Sequence, residues 1–197
     1  VRIIAIDDAP IADWLQAVAV EDGLVGEITV AGPTATDSYF NRESATRAAK
    51  IGETLADGSQ RIVHRMGDVG YFDAHGRLWF CGRKTQRVET MQGPLYTEQV
   101  EPIFNTHPDV KRTALVGIGP MGRQVPVLCY ELQHGVPATD RKRIVGELRL
   151  IAVAHAHTTG IDRFLCHPAF PVDIRHNAKI GREKLAAWAA KQEGSQQ

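Results

Sequence analysis

The chain has 197 residues, with 23 basic and 23 acidic side chains and a formal charge of zero. Its composition, 43% hydrophobic and 23% charged, is that of a folded globular protein and excludes a disordered chain. The balanced charge gives no electrostatic reason to expect nucleic acid or an anionic membrane as partner, and no apolar run reaches the roughly 18 residues of a membrane span.

At roughly 150 residues per domain, the length suits one large domain or two small ones. The chain opens with Val1 and runs directly into Arg2-Ile3-Ile4-Ala5-Ile6, a β-prone run with no signal-peptide pattern. A start inside a strand is expected of a piece cut from a longer protein. Residues 24–30 alternate around Gly26 and Glu27, and Gly32-Pro33 stops that strand. Residues 41–52 read as a helix. Residues 61–64 form a short β-prone stretch. Asp73-Ala74-His75-Gly76 is a turn between strands at 70–72 and 77–80. The first part of the chain is therefore strand-rich.

The pattern changes after Gly82, and small and polar residues at 82–86 mark a boundary. Val100, Ile103 and Phe104 share one face of a helix over 97–105, with Thr97 placed to cap it. Residues 110–118 and 125–132 read as paired strands. Thr139 or Asp140 caps a helix that carries Ile144, Leu148 and Ile151 on one side. A short strand at 161–166, a loop at 168–177 and a helix at 182–191 follow, the last with Leu185, Trp188 and Ala189 on one face. The tail 193–197 is polar and expected to fray. The fold class is α+β.

Cys81, Cys129 and Cys166 are far apart and form no CxxC pair, so they read as small buried hydrophobes. Free thiols fit a reducing cytoplasm, which is the expected location. Gly117-Ile118-Gly119-Pro120-Met121-Gly122 matches GxGxxG literally. A dinucleotide site needs a helix to begin inside the motif, whereas a strand follows here, so the glycines read as a loop. His155-Ala156-His157 lacks a third ligand at a suitable spacing, and no metal site is expected.

Three further stretches carry chemistry. Gly67 before Asp68 lets backbone approach a ligand while the carboxylate accepts hydrogen bonds from a diol. Gly82-Arg83 sets a guanidinium at the domain junction. Lys179, in Asn177-Ala178-Lys179-Ile180-Gly181-Arg182, is expected on a mobile loop that must reach a distant site.

In this order the three stretches resemble the AMP-forming adenylating enzymes: acyl-CoA synthetases, peptide-synthetase adenylation domains and beetle luciferases. Gly26-Glu27-Ile28-Thr29-Val30-Ala31-Gly32-Pro33 and Ser38-Tyr39-Phe40-Asn41-Arg42-Glu43-Ser44-Ala45-Thr46 look like that family's "GEI-x-V-x-GP … GYYNRPEAT" stretch. Gly67-Asp68 resembles "TGD", with Met66 replacing Thr. Gly82-Arg83 resembles "GRxxD". Ala178-Lys179-Ile180, Arg182 and Leu185 resemble "GKIxRxxL", with Ala178 replacing Gly.

The resemblance implies that residues 1–84 are the β-rich end of a large AMP-binding domain. Residues 85–197 would be a small mobile α+β domain with a mixed sheet flanked by helices. It assigns ATP ribose binding to Asp68 and Arg83, adenylation catalysis to Lys179 and the hinge to Thr85. ATP and Mg²⁺ are the implied cofactors, and no residue is assigned to the metal. The family's Ser/Thr/Gly-rich phosphate loop ending in "PKG" and its "YGxTE" motif are not in this sequence, so the chain alone is expected to be inactive in adenylation.

Within the family, residues 76–84 and 113–117 look like the olefin β-lactone synthetases. That branch implies a long-chain 3-hydroxy fatty acid as substrate, closure of its acyl-adenylate to a β-lactone, and other enzymes of olefin biosynthesis as possible partners. Relatives usually carry "IK" where Val88 and Glu89 stand, which argues against coenzyme A. A fatty-acid–CoA ligase is the alternative; a standalone non-catalytic module is the third.

Overall fold

The structure is a computed structural model that describes residues 1–173 and 176–194. The chain separates into two compact units, Val1–Thr85 and Gln86–Gln197.

In the first unit, β1 (Arg2–Ile4), β2 (Gly26–Ala31), β3 (Lys50–Thr54), β4 (Gln60–Phe72) and β5 (Leu78–Arg83) form a five-stranded antiparallel sheet. Helix α1 (Glu43–Ala49) precedes β3. The helix expected over 41–52 therefore stops at Ala49. Residues 50–54 extend along β4 instead, where ladder bonds and the complete burial of Ile51 override local helix propensity.

The stretches expected as separate strands at 61–64 and 70–72 belong to one strand, β4. It pairs with β3 through residues 60–64 and with β5 through 68–72. Opposite β2 its register slips between Glu27 and Thr29, a bulge that takes in residues 66–68. Gly67 occupies that bulge at φ 67°, a left-handed conformation that costs glycine little. The expected alternation along β2 is also replaced, since Gly26, Glu27, Ile28 and Thr29 are all buried. Ile4, Ile11, Ile51 and Val63 make the small core of this unit. The turn at 73–76 forms as read: the Asp73 carboxylate accepts the backbone N–H groups of His75 and Arg77, each at 2.9 Å.

The second unit begins with the hairpin β6 (Val88–Thr90) and β7 (Gly93–Leu95). Helix α2 (Thr97–Phe104), strands β8 (Val110–Ile118) and β9 (Val125–Leu132), helix α3 (Arg141–Val153) and strand β10 (Arg163–Cys166) follow. β8 runs antiparallel to β9 and β10 parallel to it, so this sheet is mixed. Both faces are covered. Leu115, Leu128 and Tyr130 join Val100 and Phe104 of α2 and Ile144 and Leu148 of α3 in one cluster. The alternate residues Ala114, Val116, Val127 and Cys129 meet Leu185 and Ala189 of the last helix, α4 (Arg182–Gly194), in another.

Three local expectations are corrected in this unit. Thr97 is the first residue of α2 and is buried; the cap position is Tyr96, and no side chain caps it. Asp140 does occupy the cap position of α3, but it makes no capping bond because its carboxylate pairs with Arg143 at 2.9 Å. The loop expected at 168–177 contains β11 (Val172–Asp173) and the start of β12 (His176–Ile180), which pair antiparallel. The expected frayed tail begins inside α4, and residues 195–197 lie outside the described residues.

Cys81 and Cys129 are buried, with burial pushing their thiols up to about 11 and about 12, while Cys166 is half-buried. Among the described residues, no helix is long and apolar enough to cross a membrane.

Candidate functional site

The β4–β5 ladder sets Asp68 directly opposite Arg83, and this register brings the two sequence-predicted ribose contacts together. Arg83 Nη1 lies 2.9 Å from Asp68 Oδ1 and donates to the Met66 carbonyl at 3.4 Å. The guanidinium is at ion-pair distance, yet no donor is aligned on Asp68 Oδ1 for a hydrogen bond. The Arg83 side chain is 58% exposed and that of Asp68 21%. Oδ1 itself is buried, so what the pair presents to solvent is the rest of a partly exposed carboxylate, an acceptor, beside an accessible guanidinium, a donor, and the two together fit the hydroxyls of a ribose.

Next to this pair, Glu27 and Arg65 form a buried ion pair whose side chains are each 2% exposed. Arg65 Nε and Nη2 donate to Glu27 Oε2 at 3.0 and 2.6 Å, and Lys84 Nζ reaches the same oxygen at 3.2 Å. Arg65 and Lys84 also donate to backbone carbonyls of the segment at 7–9. Glu27, Tyr39, Arg42, Met66, Gly67 and Lys84 help line a cavity of about 400 Å³ beside β4. Thr85, the expected hinge, sits in a single 3₁₀ turn at Lys84–Gln86 and is the last residue of the first unit.

Lys179 lies on β12, which corrects its expected place on a mobile loop, and its side chain is exposed. Residues 174 and 175 lie outside the described residues. The hairpin base is tied at Val172↔Ile180 and by the Gly181 N–H, which donates to the Pro171 carbonyl at 2.7 Å. Leu185 and Arg182 of the same signature pack inside the second unit. Leu185 is completely buried. Arg182 makes a two-pronged pair with Glu101, Nη1 to Oε1 at 2.5 Å and Nη2 to Oε2 at 3.0 Å. Burial pushes the Glu101 carboxyl up, with Arg182 and the Leu115 N–H opposing that rise. Sequence reading passed over Glu101 as a site residue. Its signal was its place at i+4 from Thr97 and i−3 from Phe104, which sets a carboxylate on the buried face of α2.

Glu89, standing where relatives carry lysine, is held by Arg87 at 2.5 Å. The GxGxxG stretch covers the last two residues of β8 and the start of the β8–β9 loop, with Gly119 and Gly122 at positive φ. His155 and His157 each bond a backbone carbonyl, those of Ile151 and Gln99. No group of three or more His, Cys, Asp or Glu side chains among the described residues could hold a metal ion.

No protein-family model matches the chain. It is 69% identical over 192 residues to the olefin β-lactone synthetase of Xanthomonas campestris pv. campestris, covering 98% of this chain and 34% of that protein. It is 72% identical over 190 residues to the olefin β-lactone synthetase of Stenotrophomonas maltophilia, covering 96% and 34%. The chain is homologous to one part of an AMP-forming adenylating ligase. Its fold matches that of o-succinylbenzoate CoA synthetase from Bacillus subtilis in complex with its acyl-adenylate intermediate. That match has a TM-score of 0.67 and 26% identity over 94% of this chain and 33% of that one. The same synthetase with ATP and magnesium matches at TM-score 0.65 and 25% identity, over 94% and 33%. The mixed α and β architecture is thus that of the C-terminal part of adenylating ligases. The chain spans about a third of the length of the curated relatives named here.

Proposed function

We propose that the chain is the C-terminal part of an ATP-dependent, AMP-forming ligase that adenylates a long-chain 3-hydroxy fatty acid, whose adenylate then closes to a β-lactone. The observation that carries this reading is the 69–72% identity to olefin β-lactone synthetases over nearly all of the chain. In this reading the first unit is the end of the large AMP-binding domain. Its exposed apolar side chains support that: Leu15 and Phe40 are more than nine-tenths exposed, and Leu78, Trp79 and Phe80 about half. The second unit is the small mobile domain, and Thr85 the hinge between them.

Asp68 accepts hydrogen bonds from the ribose hydroxyls, and the Arg83 guanidinium, at ion-pair distance from that carboxylate, contacts the same sugar. Lys179 is brought to the reacting phosphorus. A substrate carboxylate oxygen attacks the α-phosphorus of ATP, the new O–P bond forms, and pyrophosphate leaves. The Lys179 ammonium offsets the negative charge that grows in that step, a contribution of about 10²- to 10³-fold in rate for one such donor. Magnesium supplies neutralisation of the triphosphate when bound. The 3-hydroxyl of the substrate then attacks its own acyl carbon. The C–O bond of the four-membered ring forms, the hydroxyl proton is lost, and AMP departs. An intramolecular nucleophile needs no second substrate.

A fatty-acid–CoA ligase is the second reading. It draws support from 37% identity over 104 residues to the 2-succinylbenzoate–CoA ligase of Bacillus cereus. Against it stands Glu89, a carboxylate already paired with Arg87. Mass spectrometry of the full-length protein acting on a 3-hydroxy fatty acid with ATP decides between the two. Lactone and AMP without coenzyme A are expected; a thioester formed only when coenzyme A is added would overturn the lactone reading.

A further inference from the structure

Arg182 does more than fill space at the start of α4. All three of its guanidinium nitrogens are engaged. Nη1 and Nη2 grip the two oxygens of Glu101, Nη1 also donates to the Leu115 carbonyl at 3.2 Å, and Nε donates to Gln86 Oε1 at 3.1 Å. Glu101 in turn accepts the Leu115 N–H at 2.8 Å. The side chains of Arg182 and Glu101 are 15% and 10% exposed, so the cluster is largely shielded from water. One guanidinium therefore joins α2, β8, the first turn of α4 and the residue that opens the second unit.

The positions of the partners matter. Gln86 follows Thr85 directly and is the first residue of the second unit. Arg182 stands three residues after Lys179 and one after Gly181, whose N–H closes the β11–β12 hairpin on Pro171. A planar, two-pronged guanidinium–carboxylate pair fixes direction as well as distance, which a lysine at the same place would not do.

We propose that Arg182 and Glu101 form a clasp that makes Gln86 and the base of the Lys179 hairpin move as one rigid piece, confining hinge rotation to residues 84–85. This rests on the reading of Thr85 as hinge and Lys179 as catalytic, and it assigns Arg182 as a positioning residue. A clasp of this kind converts a rotation at the hinge directly into a displacement of the lysine. Without it, slack at residue 86 or at the hairpin base would leave the ammonium misplaced, and a misplacement of about 1 Å can cost about 10²-fold in rate.

The test uses the full-length protein with two substitutions. Arg182→Lys keeps the charge but loses the fork and the bond to Gln86; Gln86→Ala cuts only the tie to the hinge. Thermal melts confirm that both are folded. Amide hydrogen exchange is expected to speed up in Arg182→Lys at both places together, at residues 86–88 and at residues 180–181, and in Gln86→Ala at residues 86–88. Pyrophosphate release is expected to lose about 10²-fold in kcat in Arg182→Lys, with the KM for ATP within about 2-fold of wild type. A folded Arg182→Lys protein with wild-type exchange, or with faster exchange at only one of the two places, overturns the clasp. Wild-type kcat despite the paired exchange change overturns the positioning role. Lys179→Ala in the same assay tests the underlying reading separately: if it retains wild-type kcat, the assignment of Lys179 falls, while the exchange result still decides the clasp.

Discussion

Arg65→Met gives the sharpest test of how the first unit is held together. Arg65 and Glu27 face each other with side chains 2% exposed, so removing the cation leaves a carboxylate that water cannot easily reach. Breaking such a pair from one side costs about 3–5 kcal/mol. Two features of this site place the expected value near the lower end. Lys84 Nζ, 3.2 Å from the same Glu27 oxygen, stays behind as a partial counter-charge. The backbone carbonyls of Asp7 and Ala9 that Arg65 also serves belong to exposed residues and can turn to water. We expect a loss of about 3 kcal/mol, read as a fall of roughly 1–3 M in the urea midpoint at a slope of about 1–3 kcal/mol/M. Tryptophan fluorescence reports on it through Trp14 and Trp79, the tryptophans of this unit. Glu27→Leu combined with Arg65→Met should restore most of the loss, because a buried pair replaced as a whole by apolar groups is often neutral. A single substitution costing less than about 1 kcal/mol, or a double variant less stable than the single one, would refute the argument.

The other predictions concern the site and acid stability. In the full-length protein, Lys179→Ala should lower substrate-dependent pyrophosphate release by about 10²-fold or more; wild-type rates would remove Lys179 from the mechanism. Asp68→Ala should weaken ATP binding measured by calorimetry, and unchanged affinity would count against the ribose contact. The bonds from Arg2 and then Arg61 hold the Glu53 carboxyl down to about 2 from an ordinary 4.5, with burial opposing. A depressed folded pKa contributes stability that is present above pH 4.5 and is lost as the pH falls toward 2. Glu53→Gln should therefore show a smaller fall in urea midpoint between pH 5 and pH 3 than wild type; an equal fall would refute this.

Much of the second unit was legible because its elements are amphipathic and close in sequence. The apolar spacing of Val100 and Phe104, and of Ile144 and Leu148, marks the buried stripes of α2 and α3. Strands β8 and β9 carry long β-rich runs joined by one glycine-rich loop, and they pair as the pattern implies. The motif residues Asp68, Arg83 and Lys179 were equally legible as residue types in order.

The misreadings fall where strand pairing overrules the preference of the single segment. Ile51, Gly52 and Thr54 weaken a helix only modestly on their own; β4 supplies the ladder that draws Lys50 to Thr54 into the sheet. The hairpin that carries Lys179 follows a stretch with Pro168 and Pro171 that reads as loop, and Val172 pairs with Ile180 eight positions on. Sequence alone determined which charged residues the protein carries and in what order. Only the tertiary structure decided which of them meet. Asp68 and Arg83 are fifteen positions apart in sequence and face each other through strand register. Glu101 and Arg182 lie 81 positions apart, and packing of α2 and α4 onto β8 brings them into a bidentate pair. Helix periodicity marks Glu101 as a buried carboxylate but does not name its partner, because the two are matched by distance in space and by shared burial.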